Sequence, residues 1–472
     1  MPDVEKKLNL AVEFPPTATT EWEAIITKDL KGADYEKKLV WRTEEGFSVR
    51  PYYRMENLAG LDAQLGLRRT RGGWEISEKF TPSPDAVRAD LLHEAGATAI
   101  QELGYAIAAG VEKFAALSEK KLAEQKPAEK KPVEAAAGEI EFVFAAGPSY
   151  FNEIAKLRAA RLLWAQVSAA FGVKGPVAMK IAVRTPRRNK SVFDHNSNLL
   201  RATTEALAAV LGGCDALYVE PFGFDEHIAL NIQRILQEES HIDTVADPAG
   251  GSYYIESLTD TIAREAWKLL QQVEAEGGYA KAKAGGTIDN AITVTRTARE
   301  KSLTSRRKAL VGVNNFPNLM EKAPEIAAPK TECPNEYRVA TPFEKIRQRT
   351  LDYAKAKGKT PKTLLLTRGD VTMKGARSNF ALNFLGCAGF EIVTAEEFVD
   401  ADADLIVLCS SDPEYLAFAQ DVCSKVRVPV IVAGNPKDQI EALEAAGVKG
   451  FIHVMSDAAA TLTELQNKLG MN

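Results

Sequence analysis

Residues 369–375 read Gly-Asp-Val-Thr-Met-Lys-Gly and set a carboxylate, Asp370, a hydroxyl, Thr372, and a second glycine, Gly375, within one short turn. A strand over 363–367 precedes this turn and a helix starting near Ala376 follows it. In open parallel α/β sheets, ligands sit beyond the carboxyl ends of the strands, which is where the turn falls. Taken alone it also fits an ordinary strand-to-helix turn, with Asp370 as the helix cap. A helix start with Lys374 and Arg377 on it tolerates a phosphate, although both side chains also suit a solvated face. Thr372 is a poor ligand for a soft metal and cannot form a carboxylate–imidazole–metal relay. A second basic group, Arg184, Arg187, Arg188 and Lys190, is open to three readings: a solvated loop, a phosphate holder, or a match for acids on a partner. His195, His227, His241 and His453 show no metal-ligand spacing. No P-loop, G-x-G-x-x-G, nucleophile elbow or H-E-x-x-H occurs.

The surrounding elements are parallel α/β in pattern. Strands are predicted over 140–145, 177–183 and 216–219, and helices over 151–171, 196–210 and 228–239. Leu157, Ala160, Trp164, Val167 and Phe171 recur at helical spacing. Such alternation belongs to a doubly wound sheet or a TIM barrel. The last part alternates more cleanly, with strands over 363–367, 390–394, 404–409, 429–433 and 450–454 and a closing helix over 458–469. Five strands in this order suit a flavodoxin-like fold. Four regions follow: an N-terminal arm over 1–50, a β/α domain over 51–328, a Pro-rich linker over 329–345 and a last domain over 346–472. The arm, with Trp22, Trp41 and a helix over 21–30, either wraps a partner or packs on its own domain. Lys, Glu, Pro and Ala dominate near 123–137, which predicts a solvated linker inside the second region.

The chain has 472 residues, 45% of them apolar and 26% charged, with a net charge of −5, which suits two or three globular domains. An acidic balance gives no reason to expect nucleic acid or an anionic membrane as partner. The N-terminus lacks a secretory apolar core, and no apolar run is long enough for a membrane span. Cys214, Cys333, Cys387, Cys409 and Cys423 are odd in number and contain no C-x-x-C pair, so a reducing cytoplasm is the expected setting. Gly250-Gly251 is predicted to make a tight turn, and Tyr253 and Tyr254 to pack.

Several long stretches resemble methylmalonyl-CoA mutase. They are EAGATAIQELGYAIAAGVEKF from Glu94, EIAKLRAARLLW from Glu153, RILQEES from Arg234, VADPAGGSYYIESLT from Val245 and VGVNNF from Val311. The 369–375 turn is similar to the family's corrin loop, D-x-H-x-x-G, with Thr372 in place of the cobalt-binding histidine. The resemblance implies a TIM-type barrel followed by a flavodoxin-like cobalamin domain. It also implies a reaction that interconverts methylmalonyl-CoA and succinyl-CoA with adenosylcobalamin.

The departures from the family lie where its chemistry lies. Arg69 stands in the register of the family's tyrosine before Trp74, and Leu91 stands where a histidine precedes E-A-G-A. His93 is two residues further on, in register for the same strand face, which leaves a shifted base open. The substrate stretch reads RTPRRNKSVFDHN from Arg184; Cys409-Ser410-Ser411-Asp412 replaces a serine–leucine signature; Ala433-Gly434-Asn435 replaces paired glycines. Little sequence separates Trp74 from Glu94, so the barrel is expected to be shortened or incomplete, since a closed one needs about 200 to 250 residues. Its exposed strands would need cover from the linker, the arm or a partner. These changes imply a non-catalytic subunit with no catalytic residue, corrin or metal of its own and a degenerate loop at Asp370, Thr372 and Gly375. It would pair with a homologous catalytic large subunit that carries cofactor and acyl-CoA. Two alternatives are an active mutase on another acyl-CoA with base-on cobalamin, and a stand-alone acyl-CoA-binding or chaperone-like protein.

Overall fold

The computed structural model describes residues 17–61, 73–123, 132–175, 177–321, 323–324, 326, 336–398 and 402–471. Arg69, Cys333 and the Pro-rich 327–335 stretch lie outside them. Two parallel five-stranded sheets organise the chain. The first holds β3 (Glu75–Ile76), β4 (Val87–Arg88), β5 (Glu141–Ala145), β6 (Lys180–Arg184) and β7 (Ala216–Tyr218) in the spatial order β3-β7-β6-β5-β4. The first two strands of this sheet, β3 and β4, therefore lie at opposite edges. Each later strand joins its predecessor, and β7 returns to β3, as the last and first strands of a barrel do. The ten residues 77–86 that join the edges are too short for even one helical crossover, which takes a dozen or more. The result is an arc of a TIM-type barrel, shortened by the strands that would otherwise span the gap. A two-stranded antiparallel ribbon, β1 (Trp41–Arg42) with β2 (Ser48–Val49), precedes it.

The arc is stabilised by helices Ala99–Ala123, Tyr150–Ala170 and Tyr253–Ala275, which pack on one another and on the sheet. Trp164 is fully buried and sits edge-on to Phe142, their ring centroids 4.8 Å apart, with Phe114 beside it. Helix Tyr150–Ala170 thus follows the expected Leu157, Ala160, Trp164 and Val167 stripe, all buried. The N-terminal segment packs on its own domain. Val49 enters the core, and the Glu45 carboxylate accepts from the backbone N–H groups of Ala99 and Ile100, which caps the first turn of helix Ala99–Ala123. Helix Thr19–Asp29 buries no residue, and its Trp22 stacks on Tyr52. The last part of the predicted linker near 123–137 is not solvated: Pro132–Glu139 is helical, with Ala136 and Ala137 fully buried, and residues 124–131 lie outside the described set.

The second sheet runs β12 (Phe451–Ile452), β11 (Val430–Ala433), β10 (Leu405–Cys409), β8 (Lys362–Thr367), β9 (Glu391–Ala395), all parallel. Its spatial order is the flavodoxin-like 2-1-3-4-5 read in reverse. The switch point lies between β8 and β10, so the turns after Thr367 and Cys409 face each other. Among the described residues, no helix is long and apolar enough to cross a membrane.

Gly110, inside helix Ala99–Ala123, tests the packing. A Cβ there would come 2.7 Å from Phe142 and 3.0 Å from Trp164. Alanine improves helix propensity by about 1 kcal/mol, but overpacking costs about 1–3 kcal/mol. Gly110→Ala is therefore expected to lower the urea midpoint of the full chain despite the better helix former.

Candidate functional site

In barrel-type folds the chemistry sits at the carboxyl ends of the strands. Here β4 is so short that helix Ala89–Ala95 begins directly after Arg88, and it ends at Gly96, whose φ of +118° suits glycine. That helix brings Asp90, His93 and Glu94 over the strand ends, and β6 delivers Arg184 and the loop after it. Every residue from 183 to 193 is buried. Arg184 meets Glu94 at 3.0 Å and Asp90 at 3.6 Å. Arg187 binds Glu220, just beyond β7, at 2.6 Å, and Lys190 binds Glu205 at 2.5 Å. Lys156 lies between Glu102 at 2.8 Å and Glu153 at 2.6 Å. Arg188 donates to the backbone carbonyls of His93 and Ala97. The basic cluster is thus neither a solvated loop nor turned toward a partner: its charges are buried, and three of its four members bind carboxylates of this chain. Burial raises the pKa of Glu94, Glu102 and Glu205, and the adjacent cations oppose that rise.

His93 does not share a strand face, because it lies on helix Ala89–Ala95, as does Leu91. It is 1% exposed, its Nδ1 lies 3.0 Å from Glu102, and its Nε2 has no hydrogen-bond partner. Desolvation, with Arg188 and Lys156 nearby, holds its pKa well below the usual histidine range. The imidazole is enclosed between Glu102 and Gly147. Residues 336–340 close over it: the Tyr337 N–H donates to the Glu94 carbonyl and the Val339 N–H to the Arg188 carbonyl.

At the switch point of the second sheet, Asp370 caps helix Val371–Gly386 through the Met373 N–H at 2.8 Å. Thr372 is exposed, and Gly375 has open space where a Cβ would stand. Lys374 and Arg377 pair with Glu396 and Asp412. The two facing turns are tied together. Ser410 Oγ lies 2.7 Å from both the Arg368 carbonyl and the Glu414 carboxylate, and Ser411 Oγ donates to Glu414 at 2.5 Å. These hydrogen bonds, Ser411 first, pull the Glu414 pKa down to about 2. Glu414 rests against Gly369, where any side chain would collide with it. Tyr415, fully buried, donates to the Ala433 carbonyl and accepts from the Ser410 N–H, and it leaves Gly434 little room.

Sequence reasoning missed Glu102, Lys156, Glu205, Glu220, Glu414 and Tyr415. Only the Ser411–Glu414 capping box had a local signal in its spacing. Gly251, with φ +80°, makes the expected turn, and Tyr254 packs against Tyr53 and Phe151. Among the described residues, no group of histidine, cysteine and carboxylate side chains is arranged to hold a metal ion.

The family model for methylmalonyl-CoA mutase matches residues 83–357. The methylmalonyl-CoA mutase small subunit of Porphyromonas gingivalis is 33% identical, over 99% of this chain and 100% of its own length. The chain belongs to the methylmalonyl-CoA mutase family. The small subunit of Streptomyces virginiae is 35% identical over 83% of the chain and 65% of its own length. A protein of Rhizobium meliloti named methylmalonyl-CoA mutase is 38% identical over 51% of the chain and 34% of its own length. The full-length match runs over 629 positions against 472 residues here, so this chain lacks residues that the relative has.

The buried pairs give a direct test. Glu205→Gln leaves the Lys190 ammonium buried without its countercharge, which should cost about 3–5 kcal/mol in chemical unfolding. The double change Lys190→Met with Glu205→Leu should recover most of that loss. Equal destabilisation by the single and double variants would contradict the ion-pair account.

Proposed function

We propose that this chain is the non-catalytic small subunit of a heterodimeric, adenosylcobalamin-dependent methylmalonyl-CoA mutase of the cytoplasm. It pairs with a homologous catalytic large subunit, which binds cofactor and acyl-CoA and interconverts methylmalonyl-CoA and succinyl-CoA. One observation carries the reading: the strand ends that hold substrate in an active barrel are closed here by the chain's own buried ion pairs. The names of its relatives from Porphyromonas gingivalis and Streptomyces virginiae support the assignment.

The residues present do not fit a corrin held through a cobalt–imidazole bond. Thr372 offers a hydroxyl, and Ser410, Glu414 and Tyr415 fill the space between the two turns. No step of the reaction is assigned to this chain. An active mutase built on His93 is disfavoured by the burial of that imidazole and its depressed pKa. The chain's contribution is interface area and support, with the edge strands β3 and β4 as the place where a partner would dock.

Co-expression with the catalytic chain of the same organism, followed by dilute size exclusion, tests this reading. Stoichiometric co-elution is expected, with no turnover of methylmalonyl-CoA by this chain alone. Separate elution, or activity of the isolated chain with added cofactor, would refute it.

A further inference from the structure

Beside the closed strand ends lies a cavity of ≈ 410 Å³ whose lining includes Arg188, Arg201, Arg299 and Lys308 but no aspartate or glutamate. It is bounded by helix Asn196–Leu211, the carboxyl end of helix Thr287–Thr304 and residues 308–311. Its size falls in the range of small-molecule sites.

The cations here are under-compensated. Glu44 serves both Arg299, at 3.0 Å, and Lys308, at 2.5 Å. Glu205 is bound by Lys190 and Asn189, and Asp194 accepts from Ser197. Arg188 and Arg201 form no ion pair among the described residues. Arg188, only 8% exposed, uses one nitrogen on two backbone carbonyls. Arg201 donates to the Val311 carbonyl and Asn198. Burial, with the like charge of Arg299, lowers the Arg188 pKa to about 10; Glu94, Glu102 and Glu153 oppose that fall, but none of them forms an ion pair with it. Elsewhere at these strand ends buried cations have carboxylates; here a cavity stands in place of one.

The remaining wall is apolar: Leu200, Leu303, Leu310 and Val311. Leu200 and Val311 are 69% and 51% exposed, which is unusual for apolar side chains at the mouth of a charged pocket.

We infer that this cavity binds a small organic acid, its carboxylate meeting the Arg188 and Arg201 side of the pocket and its short hydrocarbon body lying on Leu200, Leu303, Leu310 and Val311. The site lies beside the closed centre and is independent of whether the chain is catalytic.

Isothermal titration of the full-length chain with hexanoate, hexylammonium and inorganic phosphate, at constant ionic strength, tests it. Hexanoate should saturate at one equivalent, and the other two should not bind measurably. Arg201→Gln should weaken hexanoate about tenfold, the loss expected for one charge-assisted contact. Leu200→Glu, on the exposed face of its helix, should abolish binding by placing an internal carboxylate at the mouth, with melting temperature and circular dichroism unchanged. Absence of saturable hexanoate binding overturns the inference. So does phosphate binding as tight as hexanoate, or wild-type affinity in folded Leu200→Glu.

Discussion

A cation inside a protein must be compensated where it sits, by a carboxylate or by hydrogen bonds to carbonyl oxygens, because solvent cannot reach it. Most of this chain's strand-end architecture follows from that constraint. Arg184, Arg187, Lys190 and Lys156 are nearly or fully buried, so Glu94, Asp90, Glu220, Glu205, Glu102 and Glu153 must lie beside them. The partners come from different elements: helix Ala89–Ala95, helix Ala99–Ala123, helix Asn196–Leu211 and the turn after β7. The pairs therefore fix those elements on the arc as well as balancing charge. They lie at the carboxyl ends of the strands, where barrel folds place their chemistry.

The second domain reaches closure by a different route. Its switch point is shut by hydrogen bonds to one carboxylate, Glu414, and by one aromatic ring, Tyr415. The two closures share no residue, yet each falls at the ligand-binding position of its fold. What stays open is the sheet itself. Among the described residues, β3 and β4 are its edge strands.

Much of the fold was legible in the sequence. The strands over 363–367 and 404–409 and the helix over 151–171 follow from continuous apolar runs and helical spacing, signals that local sequence carries. The shortened barrel followed from the brief interval after Trp74. Asp370 as a helix cap was legible for the same local reason. The site was much less so. The pairing of Arg184 with Glu94 joins residues far apart in the chain, and no periodicity encodes it. Arg187 and Arg188 look like a solvated loop because charge usually marks a surface; only the Glu220 carboxylate and the His93 and Ala97 carbonyls brought in by other elements reverse that. His93 was placed on a strand because the helix that holds it starts after a strand of only two residues.

Equilibrium dialysis of labelled adenosylcobalamin, against this chain alone and against its assembly with the catalytic chain, bears most directly on the claim that both ligand positions are closed. One equivalent bound per assembly and none on the isolated chain is the result expected from the proposed role. One saturable equivalent on the isolated chain would contradict it.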